Sequence, residues 1–300
     1  NKKKYDKFII HGLWHFNTLL ARLIIKKNYY VFTHGQLDPF FSTQFLKKIK
    51  KKIYWYFVER KNLLKAESIL LTSENEKKSL TKTYVDTIGI NKKVVDYGIL
   101  YPKIDLNISK KLFFKKFSYL KNKDFFLYLG RFHQKKGCEI LIKSIKKIID
   151  KNINIKVLMV GPSNEYRKNL IKLSNSLNLK DTIFWSDHLS YNLKWGAILN
   201  SQAMLLSSHG ENFGVSLVES LSMGRPVITT NKVNIYRYIE NANAGLVARN
   251  NINSFSTEIE KFLLMKNKFK KKMRINSFKC FNKYFNLRYN QKKFISILKN

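Results

Sequence analysis

Two glycine-flanked loops hold the side chains best suited to chemistry. The first, Gly130-Arg131-Phe132-His133-Gln134-Lys135-Lys136-Gly137, follows the apolar run Phe125–Leu129. Gly130 permits a sharp turn. Arg131 and Lys136 then place two cations where a helix opens near Cys138. Cations beside the free N–H groups of a helix start suit an anion such as a diphosphate. The second loop, Gly210-Glu211-Asn212-Phe213-Gly214, follows Ala203–Ser207 and enters a helix near Val215. Glu211 lies in the loop, and Glu219 lies in the second turn of that helix. A carboxylate accepts from two hydroxyls at once, so either can grip a vicinal diol on a ribose or hexose. Taken singly, the first is a basic loop in a lysine-rich chain and Glu219 a surface helix glutamate. Their strand-end positions, the glycine-rich approach and the paired spacing together favour a site.

His34-Gly35, followed by Asp38-Pro39, ends a third apolar run, Tyr29–Thr33. A histidine there can donate to a sugar hydroxyl or to developing charge. His11 and His15 stand at the i, i+4 spacing of metal ligands, but no third ligand is near, so packing is the better reading. There is no Asp-x-Asp pair, which points away from a donor held by a divalent ion; no metal and no cofactor are expected. Neither a G-x-S-x-G nor a Cys/His pair reads as a nucleophile centre. The two cysteines, Cys138 and Cys280, offer no disulfide framework and no metal spacing.

The elements that must position these loops alternate between short apolar runs and longer helical patterns. This is the signature of βαβ units on a parallel sheet, hence an α/β fold. Strands are expected at Phe8–Gly12, Tyr29–Thr33, Ser68–Thr72 and Val94–Tyr97, with the longest helical stretch near Thr43–Lys65. A second series follows at Phe125–Gly130, Lys156–Val160, Thr182–Trp185, Ala203–Ser207, Pro226–Thr229 and Gly245–Val247. Its helices are expected at Cys138–Asp150, Glu165–Leu177, Val215–Met223 and Ser254–Met265, and the tail Phe285–Leu298 reads as a final amphipathic helix. Six strands make one complete doubly wound domain, whereas the first third supplies only the back part of one. The charged stretch Lys103–Tyr119 shows no strand and is expected to be a linker. The domains are therefore 1–108, 109–284, and 285–300 as a helix crossing back to the first. Ligands bind outside the carboxyl ends of such strands, where the informative loops lie.

The chain has 300 residues and a net charge of +37. That charge invites a nucleic-acid reading. However, the basic residues are overwhelmingly Lys, not the Arg forks of base and phosphate recognition, and they are spread along the whole chain. Nucleic acid is therefore not an expected partner; peripheral contact with an anionic membrane is the weaker reading that survives. No apolar run approaches the roughly 20 residues of a membrane span. The expected location is cytoplasmic, peripheral at most at the inner face of the membrane. The chain opens on Asn1, with an interior-type strand at once, so a front portion is expected to be missing.

Together, Gly130-Arg131-Phe132, Lys136-Gly137, Glu211 and Glu219 with seven residues between them, and Gly224-Arg225-Pro226-Val227-Ile228 resemble the C-terminal half of retaining GT-B glycosyltransferases of family 4 (glycosyl transferases group 1). Ala244-Gly245-Leu246-Val247 is similar to a segment that follows there. In the first third, His11-Gly12-Leu13-Trp14, Thr33-His34-Gly35-Gln36-Leu37-Asp38-Pro39 and Tyr54-Trp55 resemble members acting in surface-polysaccharide assembly. The resemblance implies two Rossmann-like doubly wound domains facing across a cleft, the N-terminal one incomplete. It implies a UDP-, GDP- or ADP-sugar donor and a glycan or lipid-linked acceptor. Arg131 and Lys136 would neutralise the donor diphosphate, with Gly130 at the turn. Glu219 would bind the ribose. Glu211 and the backbone of Asn212, Phe213 and Gly214 would hold the sugar, and His34 would contact it from the opposite domain. Asp96-Tyr97-Gly98 stands where the family usually has Pro-Asn-Gly. The family's first strand and its Gly-rich loop have no counterpart. Two other classes remain as alternatives: a polyanion or nucleic-acid binder, and a nucleotide-sugar epimerase.

Overall fold

The computed structural model describes residues 5–25, 29–37, 45–80, 83 and 85–299. Asp38 and Pro39 lie outside them. The chain divides into two compact units, Asn1–Tyr97 with Asn290–Asn300, and Gly98–Tyr289.

The first unit carries four parallel strands in chain order: β1 (Phe8–His11), β2 (Tyr29–Phe32), β3 (Ser68–Leu71) and β4 (Lys92–Val94). The runs YYVF and SILL are buried at every position, as strands covered on both faces must be. Tyr29, Val31, Ile69 and Leu71 face one core with Trp55 and Leu63. Tyr30, Phe32 and Leu70 face the other, where Phe294, Ile297 and Leu298 of the C-terminal helix pack. The helices are α1 (Phe16–Leu20), α2 (Phe45–Tyr54), α3 (Arg60–Lys65) and α4 (Glu74–Ser79). A π-helical turn, Trp55–Glu59, joins α2 to α3.

The second unit holds α5 (Leu106–Lys116), β5 (Phe126–Leu129), α6 (Cys138–Ile149), β6 (Val157–Val160), α7 (Glu165–Ser176), β7 (Ile183–Ser186) and α8 (Tyr191–Asn200). It continues with β8 (Met204–Leu206), α9 (Val215–Ser222), β9 (Val227–Thr230), α10 (Tyr236–Asn241), β10 (Gly245–Ala248), α11 (Ile252–Leu264) and α12 (Asn267–Cys280). The last helix, α13, spans Leu287–Lys299. All strand pairs are parallel and the order is β10-β9-β8-β5-β6-β7. This is the doubly wound arrangement, in which the chain reverses direction across the sheet between β5 and β8. α6 shows why helices cover it: Leu141, Ile142, Ile145 and Ile148 recur at helical spacing and are buried, while Lys146 and Lys147 face out.

The stretch expected to be a linker is instead α5. Asp105 caps it, accepting from the Ile108 N–H at 2.9 Å, and Phe113 is fully buried. The helix lies so close to α8 that a Cβ on Gly196 would stand 2.3 Å from the Ser109 carbonyl oxygen. Contact made through a glycine and a main-chain oxygen leaves no apolar stripe to read, which is why LNISKKLFFKK looked like linker. The division between units accordingly falls at Tyr97/Gly98, ahead of this helix. The fourth strand also ends earlier than expected, at Val94, so Asp96 and Tyr97 lie beyond it.

Candidate functional site

The loops after β5 and β8 both leave the sheet at its reversal point, where neighbouring crossovers depart in opposite directions and open a crevice. They are tied to each other. Ser207 Oγ donates to the Gly137 carbonyl at 2.7 Å, and the His209 N–H donates to the Lys135 carbonyl at 2.9 Å. Gly137 has φ +63°, and a Cβ there would stand 2.1 Å from the Ser207 carbonyl oxygen. Only glycine meets both demands.

The seam brings Lys136 onto Glu211: the ammonium donates to Oε2, with both side chains 20% exposed. Glu211 is fixed at its backbone as well. Its N–H donates to the Lys232 carbonyl at 3.1 Å, and its own carbonyl accepts from Asn234 N–H at 2.9 Å. Asn212 accepts from Asn234 Nδ2 at 3.3 Å, and Phe213 is buried. Gly214, at φ +69°, turns the chain into α9. Its carbonyl accepts from the N–H groups of Leu217 and Val218, so those of Val215 and Ser216 stand at the open helix start. Gly130 donates to the Val160 carbonyl at 3.0 Å and starts the first loop. Arg131 is exposed, and its carbonyl accepts from Tyr128 Oη at 3.0 Å. Phe132 anchors the loop beneath, stacked on Tyr128 and against Trp185.

Glu219 has a different partner. Lys194 Nζ on α8 donates to its Oε1 at 2.6 Å and lies 4.6 Å from the centroid of the Trp195 ring. The pair lines a cavity of about 730 Å³ with Tyr101, Tyr191, Trp195 and Phe278. That volume matches a small-molecule site, apolar walls with few convergent polar groups. Sequence reasoning missed this half, because α8 was not expected and one lysine among so many carries no signal.

His34 lies in the first unit, in the left-handed region at φ +48°. Its Nε2 and Nδ1 of His11 share a hydrogen bond of 2.9 Å, and its ring stacks on Phe32. Burial, with His11 second, lowers its pKa, so the ring is held neutral. Thus His11, read as a packing residue near His15, is the partner of His34. The turn is held from beneath by Glu76. Its Oε1 accepts from the Gly35 N–H and from Thr33 Oγ1, both at 3.0 Å. Its Oε2 accepts from the Thr72 N–H at 2.7 Å and from Thr72 Oγ1 at 2.9 Å. Burial raises the Glu76 carboxyl against those four bonds. Cys138 and Cys280 are buried free thiols pushed up to about 12, principally by burial. Arg225 is half-buried, donates to the Ser201 carbonyl at 3.3 Å, and belongs to the scaffold. Among the described residues no cluster of three or more His, Cys, Asp or Glu could hold a metal, and no helix is long and apolar enough to cross a membrane.

The sequence model of the family Glycosyl transferases group 1 matches residues 109–279, more than half of the chain and all of the loops around β5 and β8. The chain belongs to this family. Among curated relatives, the capsular polysaccharide biosynthesis glycosyltransferase CapM of Staphylococcus aureus is 27% identical over 176 residues, 55% of this chain and 43% of that protein. The O-antigen chain mannosyltransferase RfbU of Salmonella typhimurium is 24% identical over 181 residues, 60% of this chain and 46% of that protein. The group 1 chain thus spans less than half the length of these relatives. Among solved structures, Anabaena HepE in complex with UDP and glucose superposes with a TM-score of 0.78 at 16% identity, covering 99% of this chain and 78% of that one. Such a likeness establishes the GT-B fold, an α/β arrangement of two Rossmann-like domains.

Proposed function

We propose that this group 1 chain binds a nucleotide-sugar and transfers its sugar to a glycan or lipid-linked acceptor, with retention at the anomeric carbon, in surface-polysaccharide assembly. The observation that carries the reading is the meeting of Lys136 and Glu211 at the reversal point of the second sheet. A cation for the diphosphate and a carboxylate for sugar hydroxyls are thereby set side by side. Glu219, in its aromatic cavity, is the ribose acceptor. The naming of CapM and RfbU as polysaccharide and O-antigen enzymes, and of HepE as a UDP and glucose complex, supports the substrate class.

As the donor C1–O bond loosens, charge develops on the departing diphosphate and on the ring. Arg131, Lys136 and the N–H groups at the start of α9 stand ready for the anion. One such preorganised group is worth ~3–4 kcal/mol of barrier, on the order of 10²–10³ in rate. Neutral His34 donates to a sugar hydroxyl. No side chain is assigned as nucleophile; the acceptor hydroxyl attacks C1 on the face the diphosphate leaves, the C1–O bond breaks with its electron pair going to the diphosphate, and the hydroxyl proton passes to a departing diphosphate oxygen.

The test is a thermal-shift screen of UDP, GDP and ADP sugars, followed by Arg131→Ala and Lys136→Ala kinetics in the full-length enzyme. One nucleotide should stabilise the protein by mass action, and each variant should lose on the order of 10²-fold or more in kcat/KM. Unchanged kcat/KM in both variants would sink the diphosphate assignment. For Glu219, the loss of affinity on Glu219→Ala should be large for the nucleoside diphosphate and absent for its 2′,3′-dideoxy analogue.

A further inference from the structure

The ring of His34 is held on three sides. It lies over the Phe32 ring, with centroids 4.8 Å apart and 11° between the planes, and the Tyr97 ring meets it edge-on at 6.1 Å. The His11 ring lies over the same Phe32, at 5.7 Å and 7°. The two imidazoles therefore share nearly one plane on one platform, their centroids 5.1 Å apart and their planes 18° apart. Within that plane His11 Nδ1 and His34 Nε2 approach to 2.9 Å, the geometry of a good N–H···N bond. Such a bond uses one hydrogen, and the ring that supplies it decides what His34 can do. If His34 donates from Nε2, its Nδ1 is a bare lone pair. If His11 donates, the hydrogen of neutral His34 sits on Nδ1 and can be offered to a ligand.

We propose that His11 and His34 hold one proton between them, and that protonated His11 is the positioning residue that makes His34 an Nδ1–H donor. This rests on the donor role given to His34 above, although the place of the hydrogen can be read without any substrate. Two imidazoles in this contact take up one proton, and a second only against like charge. The first settles on His11, which is exposed so that water solvates its cation, whereas His34 is half-buried and burial opposes its charge. An imidazolium has no lone pair, so His11 must donate and His34 must accept at Nε2. The balance is simple: the Nε2 hydrogen of His34 passes to His11 Nδ1, and His34 Nδ1 takes up a proton from water. Without that proton both rings return to Nε2–H, the form an imidazole favours in water, and His34 turns from donor to acceptor. The neighbouring elements bring His15 ahead of α1, Glu76 on α4, Asp96 and Tyr97 beyond β4, and Lys292 on α13, whose Phe294 stacks on Phe32. These groups set the pH at which the pair titrates; they do not change which ring water reaches better.

The experiment is an NMR pH titration of the full chain carrying histidine labelled with heavy nitrogen. Its six histidines leave few signals, and His11→Leu and His34→Gln assign the two that matter. Long-range proton–nitrogen spectra distinguish both tautomers and the cation. His34 should be Nε2–H at high pH and become Nδ1–H, still uncharged, over the range in which His11 becomes a cation. In His11→Leu it should keep Nε2–H until it is itself protonated; His11 is exposed, and an unchanged Tm confirms folding. In the full-length enzyme, KM for the nucleotide-sugar should rise about tenfold, the scale of one hydrogen bond, as pH passes upward through the same range. His11→Leu should show the higher KM on both sides of that range, with kcat changed less. A His34 that keeps one tautomer while His11 titrates, or that becomes the cation first, would overturn the proposal. So would a KM profile in His11→Leu that matches wild type. Unchanged kcat/KM in His34→Gln would instead overturn the donor role itself, a failure of the catalytic reading that the spectra do not share.

Discussion

Replacing Glu76 by glutamine separates positioning from chemistry in the His34 turn. All four hydrogen bonds at this carboxylate come from donors, two on each oxygen. Glutamine has one oxygen to offer, so its NH2 must face either the Gly35 or the Thr72 main-chain N–H. Threonine hydroxyls can rotate to accept from the amide, but a main-chain N–H cannot. One buried donor is therefore orphaned, at a cost of roughly 1–3 kcal/mol. At about 2–4 °C per kcal/mol for a chain of this size, Tm should fall by about 2–12 °C. The effect depends on pH with a definite sign. Burial raises the Glu76 carboxyl above its ordinary value of 4.5. Its contribution is thus fully present below 4.5, and is lost as pH rises through the folded value, where the native state holds a proton that the unfolded chain has released. The Glu76→Gln variant lacks this loss, so the advantage of wild type should be largest near pH 4.5 and shrink towards pH 7.5. Calorimetry at the two pH values reads both effects, and kcat/KM should fall as the turn loosens. Equal Tm values at both pH values, or a margin that widens with pH, would refute the reasoning.

Gly137→Ala forces a Cβ to 2.1 Å from the Ser207 carbonyl oxygen at φ +63°. About 1–3 kcal/mol of overpacking and about 1–2 kcal/mol of left-handed strain should appear in the unfolding curve, together with weaker nucleotide binding by titration. Lys194→Met retains packing on Trp195 but removes the cation from Glu219. Because the pair is largely shielded from solvent, stability should fall by an amount between the about 1 kcal/mol of an exposed pair and the about 3 kcal/mol of a buried one, while the thermal shift induced by the nucleotide should decrease. Asp105→Ala deletes the cap of α5; it should cost about 0.5–2 kcal/mol and leave nucleotide affinity alone. Cys138 and Cys280, with thiols near 12 through burial, should resist alkylation at about pH 8 until the protein is unfolded; rapid native labelling would contradict their burial.

The strands were legible wherever apolar residues run together, because a parallel strand covered on both faces needs nothing else. VLMV and VITT are buried throughout and lie within one residue of their expected positions. The signature loops were legible because glycine, cation and carboxylate cluster immediately after those strands. What escaped notice depends on proximity in space. α5 is held by Gly196 at a main-chain oxygen, so no stripe announced it. Lys194 reaches Glu219 across 25 positions of sequence, and His11 reaches His34 across 23. Glu76 reads as an ordinary helix residue after the capping Ser73, and its burial beneath the His34 turn appears only in three dimensions.

The second signature loop is held largely through main-chain groups: His209 N to Lys135 O in the first loop, and Glu211 N to Lys232 O and Asn234 N to Glu211 O in the loop after β9, with Ser207 Oγ on Gly137 O. Bonds of this kind are indifferent to which side chain stands at most of those positions. The exterior can therefore carry many lysines while the cradle holds its shape. The extreme charge of this chain and the ordinary layout of its loops are compatible for that reason.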